Sequence, residues 1–403
     1  MSAIAVDLIS PEARRAALSA RQSLKMARSA HAYVRGNTLK FYQWLQQRGA
    51  RGIPKGPAVW ICGDCHLGNL GPVANADGQV EVQIRDLDQS VIGNPAHDLI
   101  RLALSLATAA RGSDLPGLTT ANMLEQMMAG YQQALSHRRS AAALGPKPES
   151  VRIVMKQAMN RTWKHLARER IEDVTPTIPL GERFWPLSKP EKKEIRQLFG
   201  EPAVRALVTS LRSRKSGAKI QVLDAAYWMK GCSSLGRLRY AVLLGIGKAS
   251  KPQDFCLIDI KEAVAAAAPR FARSPMPRDH GQRVVQGARA LSPYLGERML
   301  PVKFMGRSAF IRELMPQDLK LEIDQLTRQE AVMAARYLAA VVGTAHARQM
   351  TSAARSRWRR TLNRNRSKRL DAPSWLWSSV VDLMVSHEAA YLEHCRRYAL
   401  LLD

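Results

Sequence analysis

The sequence predicts an α+β fold in which a small sheet is segregated from helical blocks. Three observations carry that expectation. Short apolar or alternating runs bounded by Gly, Pro, Ser and Asp cluster within residues 219–315. Apolar residues recur at helical spacing on both sides of that region. The 403 residues are 46% hydrophobic and 24% charged, an ordinary globular balance that excludes global disorder. A chain this long can bury a sizeable core, and about 150 residues per domain gives two to three units.

The elements follow in order. Residues 9–30 have helical spacing, and Ser10-Pro11-Glu12 suits an N-cap with Pro at the first helical position. Residues 38–47 read as a second short helix. The segment GIPKGPAVWICGDCHLGN reads as a turn, a short apolar run and a polar loop. Asn75, Asp77 and Gly78 have turn chemistry, and VEVQIRDLDQ after them reads as a strand. Asn94-Pro95 caps a helix over 96–111 that Gly112 closes. Residues 118–215 read mostly as helices, with loops near 112–117, 144–149 and 174–190. YAVLLGIG, FCLIDIKEA, PVKFMG and SAFIREL read as strands, interrupted by a helix at 279–292. Residues 324–350 and 373–400 are helical. Between them, 355–369 carries eight Lys/Arg and no acid. No internal repeat is present.

Sixty-one Lys+Arg against 34 Asp+Glu give a net charge of +27. A field of that sign attracts phosphates on nucleotides, nucleic acid or anionic lipids. No apolar run reaches the ~18–20 residues of a membrane span. The first residues lack a basic region followed by an apolar one, and Cys62, Cys65, Cys232, Cys256 and Cys395 make no disulfide framework. The expectation is a reducing cytoplasm and no membrane partner.

Residues 62–98 carry the most chemistry. Asp64 and Asn69 are separated by four residues, and Asp86 follows at the end of a β-like run. A carboxylate can accept a hydroxyl proton. An amide oxygen and a second carboxylate suit Mg²⁺ far better than zinc. The bland alternative is a turn and hairpin whose Asp and Asn cap backbone groups. Cys62-x-x-Cys65-His66 fits a c-type haem pattern, but haem attachment needs an exported chain; a zinc site would need a second cysteine pair.

A second constellation lies at 231–261. Gly231, Ser233, Ser234 and Gly236 form a small-residue turn between strands, where backbone amides can approach phosphates closely. Lys261 follows in an apolar strand, a costly place for a cation without an anionic partner.

In these motifs the chain resembles the protein-kinase and aminoglycoside-phosphotransferase superfamily, whose catalytic loop reads H-[RG]-D-x-x-x-x-N before a strand with a metal-binding Asp. Here Cys62 takes the place of the usual His, Ser233 that of a middle glycine, and Gly93-Asn94-Pro95 through Asp98 mirrors G-D-P-x-x-D-L. The resemblance implies Asp64 as catalytic base and Asn69 and Asp86 as Mg²⁺ ligands. Asp88 stands where the family's D-F-G has Gly and is a further metal ligand or an ambiguity in the assignment; Asp98 and His66 would support the loop. It implies that Gly231, Ser233, Ser234, Gly236 and Lys261 bind ATP phosphates, and that Glu313 and Met315 belong to a strand-and-hinge holding adenine. Lys261 would need an acidic partner, yet the next helix offers Gln286 on the expected face, with Asp279 as the fallback. Arg35 is a phosphate clamp or a surface charge; His346 is a core histidine or part of the helix that normally precedes the catalytic loop.

The parts occur in an unusual order: catalytic loop and metal Asp first, Gly-rich turn, Lys and hinge later. The implied fold is therefore a circularly permuted, two-lobed kinase-like fold. Residues 1–218 and 317–403 would build the helical lobe and 219–316 the small β-rich nucleotide lobe. Over roughly residues 20–400 the chain also resembles the bacterial family DUF2252, through KMARS from Lys25, YVRG through Arg35 and Gly36, GDCHLGN, DLD, GCSSLG, IKEA, HGQRVV and AHAR.

The implied function is an ATP- and Mg²⁺-dependent phosphotransferase acting on a small-molecule or protein hydroxyl. A catalytically altered pseudokinase or AMP transferase is the alternative. A nucleic-acid binder, resting on the +27 charge and on 355–369 with Trp358, is a third and less favoured reading. Arg152, Lys156, Arg161, Lys164 and Arg168, at helical spacing, would favour an acidic acceptor or simply face water.

Overall fold

The computed structural model describes residues 9–48, 52–136, 144–171, 177–211, 213–215, 217–232, 234–248, 251–321, 327–363 and 372–398. The architecture is mixed α+β, as the pattern predicts.

The chain opens with helices α1 (Arg14–Ala17), α2 (Ser19–Ala27), α3 (Ala30–Gly36) and α4 (Thr38–Arg48). The single helix expected over 9–30 is thus two, α1 and α2, with α3 beginning at Ala30. The path breaks at Leu18 (φ −101°, ψ 0°), beside Ser19, whose hydroxyl bonds back to the Ala16 carbonyl at 2.8 Å. Ser29 then caps α3 by accepting from the Ala32 amide. The short α1 is fixed from outside: wholly buried Arg14 pairs with equally buried Glu191 at 2.5 Å.

Strand β1 (Val59–Ile61) pairs antiparallel with β4 (Val91–Gly93), and β2 (Leu70–Ala74) with β3 (Val80–Ile84). Asn75 shapes the β2–β3 turn, its side-chain oxygen accepting from the amides of Asp77 (3.0 Å) and Gln79 (2.8 Å). Helix α5 (Pro95–Gly112) starts where expected, with Asn94 accepting from the Ala96 amide. Helices α6 (Gly117–Ser136), α7 (Glu149–Met159), α8 (Trp163–Ile171), α9 (Lys189–Leu198) and α10 (Pro202–Val208) follow.

Among the described residues, six strands form one antiparallel sheet in the order β5-β6-β7-β8-β10-β9. They are β5 (Phe184–Trp185), β6 (Ile220–Trp228), β7 (Arg239–Lys248), β8 (Lys251–Glu262), β9 (Met299–Phe304) and β10 (Arg307–Leu314). Alternation along β7 sends Tyr240, Val242 and Leu244 to a core shared with α9 and α10, and Ala241 and Leu243 to one shared with α8. Between β8 and β9 stand α11 (His280–Leu291), capped by Asp279, and the short α12 (Pro293–Gly296). Helices α13 (Arg328–Ala347), α14 (Ser352–Leu362) and α15 (Ser374–Tyr398) complete a larger core with α4, α5, α6 and strands β1–β4. Among the described residues no helix is long and apolar enough to cross a membrane.

Candidate functional site

The loop after β1 is held by a buried carboxylate. Asp98, in the first turn of α5, accepts from the Cys62 amide at 2.7 Å and the Gly63 amide at 2.9 Å. Ring nitrogen Nε2 of His346 lies 3.2 Å from the same carboxylate, and Nδ1 lies 3.0 Å from the Tyr131 hydroxyl. The Trp358 indole donates to that hydroxyl at 3.1 Å. With a carboxylate at Nε2, the ring donates there and accepts at Nδ1. His346 is therefore a satisfied core histidine, and also one link of a chain that ties the loop to α5, α6, α13 and α14. Trp358 is buried, which removes it from any base-stacking surface. Residues 364–369 of the basic stretch lie outside the described residues.

Beyond Gly63 the loop exposes its polar groups to a cleft. Asp64 accepts from wholly buried Arg101 at 3.0 Å, while Arg101 also donates to the Val34 carbonyl at 2.6 Å. His66 Nε2 lies 3.8 Å from Asp64, and burial pushes its pKa down to about 4 despite that carboxylate. His66 therefore stands neutral beside Asp64 at neutral pH. The Asn69 amide donates to the carbonyls of Asp64 (3.0 Å) and Asp86 (3.3 Å), which leaves its oxygen for the cleft.

Asp86 and Asp88 follow the end of β3, with the Asp88 amide donating to the Asp86 carboxylate at 3.3 Å. Lys261, 4% exposed near the end of β8, puts its ammonium 3.4 Å from Asp86 and in direct contact with Asp88. Burial alone would raise both carboxyls. The charges of Lys261 and Arg312 outweigh it at Asp86 and hold that group far below the carboxylate range. At Asp88, burial and the Asp86 charge win, and the carboxyl is raised. The partner of Lys261 is thus this pair rather than a residue of α11. Gln286 is exposed, and Asp279 is occupied as cap of α11 and partner of Lys303 at 2.7 Å. What α11 does supply is Arg283, which donates to the carbonyls of Asp88 (2.9 Å), Val264 (2.8 Å) and Ser90.

The Gly-rich turn closes the other side. Gly231 and Gly236 have φ of 103° and 84°, the left-handed region that glycine enters without strain. A Cβ at Gly236 would also lie 2.6 Å from the Arg15 backbone, so α1 packs directly on the turn. Lys25 braces it from α2, donating to the Gly231 carbonyl at 3.2 Å. Ser233 lies outside the described residues.

These parts enclose a cleft of about 390 Å³. Asp64, Asn69, Asp86 and Lys261 line it together with Gly231 and Ser234; Asp88, His66 and Arg35 do so too, whereas Gly236 lies behind. Its walls carry ten Lys and Arg against three Asp, a balance whose field attracts anions. Glu313 and Met315 stand elsewhere. Buried Glu313 faces Arg214 at 2.7 and 2.8 Å, and its carbonyl accepts from Arg298 at 2.8 Å. The Met315 amide meets the Asp318 carboxylate at 3.3 Å, and the Pro316 carbonyl accepts from Arg161 at 2.7 Å. Of the basic series on α7 and α8, Arg152, Lys156, Lys164 and Arg168 face water.

Sequence reasoning missed Arg101, Arg283 and a buried cluster on the sheet: Asp259, wholly buried, holds Arg239 (2.6 and 3.0 Å) and Arg312 (3.0 and 3.1 Å). One signal was available. Asp259 stands two residues before Lys261 in an apolar run, so alternation puts both on one face of β8.

The donor set can be tested against Mg²⁺. Among the described residues no three His, Cys, Asp or Glu side chains gather into a metal site by themselves. One oxygen of Asp88 is nevertheless buried without a partner. An Asn oxygen and two carboxylates suit a Mg²⁺ ion that takes its remaining ligands from phosphates and water. Cys62 and Cys65 are buried free thiols, raised by their mutual hydrogen bonding and burial at Cys62 and by burial at Cys65. Neither is a poised nucleophile.

Comparison with curated proteins and with solved structures found no match. Comparison with protein families found one that spans nearly the whole chain. Residues 14–397 match the family described as "Uncharacterized protein conserved in bacteria (DUF2252)", and the chain belongs to that family.

Proposed function

We propose that the protein is an ATP- and Mg²⁺-dependent phosphotransferase of permuted, two-lobed kinase-like architecture, acting in the cytoplasm on a small-molecule or protein hydroxyl. The observation that carries the reading is the meeting of Lys261 with Asp86 and Asp88, from segments far apart in the chain, in a cleft that Asp64 and Asn69 also line. The sheet supports it. The Gly-rich turn joins β6 to β7, Lys261 lies on the next strand, β8, and a helix separates β8 from β9 and β10. In this reading 219–316 is the nucleotide lobe, and 1–218 with 317–403 the helical lobe.

Each residue then has a task. Asp64, held by Arg101, accepts the acceptor hydroxyl's proton. Asn69, Asp86 and Asp88 would hold Mg²⁺, which when bound neutralises charge on the phosphates. Lys261 turns from Asp88 to the phosphates, and Arg283 keeps the Asp86–Asp88 turn in place. Asp98 and the histidine behind it fix the loop that presents Asp64.

Transfer of the nucleotidyl group is a second reading, favoured by one observation: the main-chain groups around 313–316 that would hold adenine are engaged within the protein. ATP labelled at the α- or γ-phosphate separates the two. Phosphoryl transfer moves only the γ label to an acceptor, and nucleotidyl transfer only the α label. Asp64→Ala is expected to keep Mg·ATP binding within about threefold and lose turnover by about 10²–10⁴-fold, the usual contribution of a general base. An Asp64→Ala enzyme with wild-type turnover would remove Asp64 from the chemistry.

A further inference from the structure

We propose that the inner end of the cleft is a subsite for a phosphoryl group, built by Arg85, Arg170, Lys230 and Arg312. The inference deepens the phosphotransferase reading and rests on it for the reaction that group enters. The four cations come from four elements: the end of β3, α8, the end of β6, and β10. All four line both the main cleft and the small cavity of about 40 Å³ behind it, next to Met315. That cavity holds a few water-sized groups and not a purine.

The nearby carboxylates outweigh burial at Arg312 alone, and each already has another partner, Asp86 being taken by Lys261. Asp259 is divided between Arg312 and Arg239. Asp318 pairs with Arg298 at 2.9 Å, leaving its main-chain carbonyl for Arg85 at 3.0 Å. Arg170 has the exposed Glu169 at 3.0 Å, but its Nε is buried without a partner. The Lys230 ammonium lies 4.2 Å from the centre of the Trp228 ring and has no carboxylate partner among the described residues. Burial, with the neighbouring arginines, draws Arg170 and Lys230 below their ordinary values.

Converging half-buried cations repel one another unless an anion completes them. Arginine forks and a lysine point charge together match the several oxygens of a phosphoryl group. A carboxylate offers two oxygens and one charge, too few for four cations. The phosphoryl group has two sources: the terminal phosphate of a nucleotide bound with its base outward, or a phosphomonoester on the acceptor.

Calorimetry on the full chain tests this, using inorganic tripolyphosphate without Mg²⁺ on wild type, Lys230→Met and Arg170→Met. The wild type should bind, and each variant should bind at least about tenfold more weakly. The unliganded melting midpoint of Lys230→Met should hold or rise, because a repelling charge has gone. A merely structural lysine would give a lower midpoint with affinity kept. That result, or no tripolyphosphate binding by wild type, overturns the subsite. Two further arms identify the source, and either supports the subsite. If Lys230→Met weakens Mg·ATP but leaves AMP unchanged, the group is the nucleotide's terminal phosphate. If it leaves Mg·ATP unchanged but weakens inorganic phosphate in the presence of Mg·ADP, the group belongs to the acceptor. Wild type that binds tripolyphosphate through Lys230 but never ATP would overturn the nucleotide reading and keep the subsite.

Discussion

Asp259 is a buried carboxylate with two guanidiniums on it, and its energetics follow from that count. Burial would raise its pKa; Arg239 and Arg312 outweigh burial and hold it far below the usual range. Removing the acid strands two cations in a poorly solvated place, at a cost of about 3–5 kcal/mol. Asp259→Ala should lose that much in urea denaturation, and adding Arg312→Met should recover part of it. Loss of less than about 1 kcal/mol would mean that water already screens the pair. His387 gives a pH-dependent counterpart. Burial first, then the Arg101 charge, lower its pKa to about 4, while its bond to the Leu383 carbonyl acts the other way. The unfolded imidazole, near 6.5, takes up its proton first as pH falls. Stability from this residue is therefore full above about pH 6.5 and is lost as pH drops to about 4. His387→Gln should flatten the fall in unfolding free energy across that window by up to about 3 kcal/mol; a slope equal to wild type would show that the ring is not held neutral.

At the scale of elements, α11 is set by one arginine. Arg283 satisfies three main-chain carbonyls, on the Asp86–Asp88 side and just after β8. Arg283→Met leaves them without a donor and should cost about 2–4 kcal/mol. It should also weaken Mg·ATP binding, by loosening the turn that carries both aspartates. Full stability in this variant would assign the clamp to other contacts. The elements with local punctuation were legible in the sequence. Asn94-Pro95 announced α5, Asn75 to Gly78 announced the β2–β3 turn, and Asp279 marks the start of α11. Elements without such signals were not. β6 carries a register shift between Val222 and Asp224 that spoils its alternation, and β5 is two residues whose strand character comes from pairing with Trp228 and Tyr227. The break at Leu18 has no Gly or Pro to mark it.

Across the whole molecule, the residues of the candidate site were legible one by one, and their contacts with one another were not. Asp64, Asn69, Asp86, Asp88 and Lys261 were each readable from motif and spacing, and they share one cleft. The arginines that hold them were not readable. Arg101 and Arg283 sit in helices whose sequence pattern offers no reason to single out one arginine among many. Which acid answers Lys261 depends on how the sheet docks on the loop after β3, and spacing along the chain carries no information about docking. Glu313 fits a strand-and-hinge pattern but spends its carboxylate on Arg214, a partner 99 residues away.

If two distant segments make one Mg·ATP site, calorimetric titration of ATP will show it. It should be run with and without Mg²⁺ on wild type, Asp86→Ala and Lys261→Ala. Wild type should bind in a Mg²⁺-dependent way and each variant at least about tenfold more weakly, the loss in Asp86→Ala falling on the Mg²⁺-dependent part. Wild type that binds no ATP with any metal, or that binds it equally well without Asp86 and Lys261, would contradict that single site.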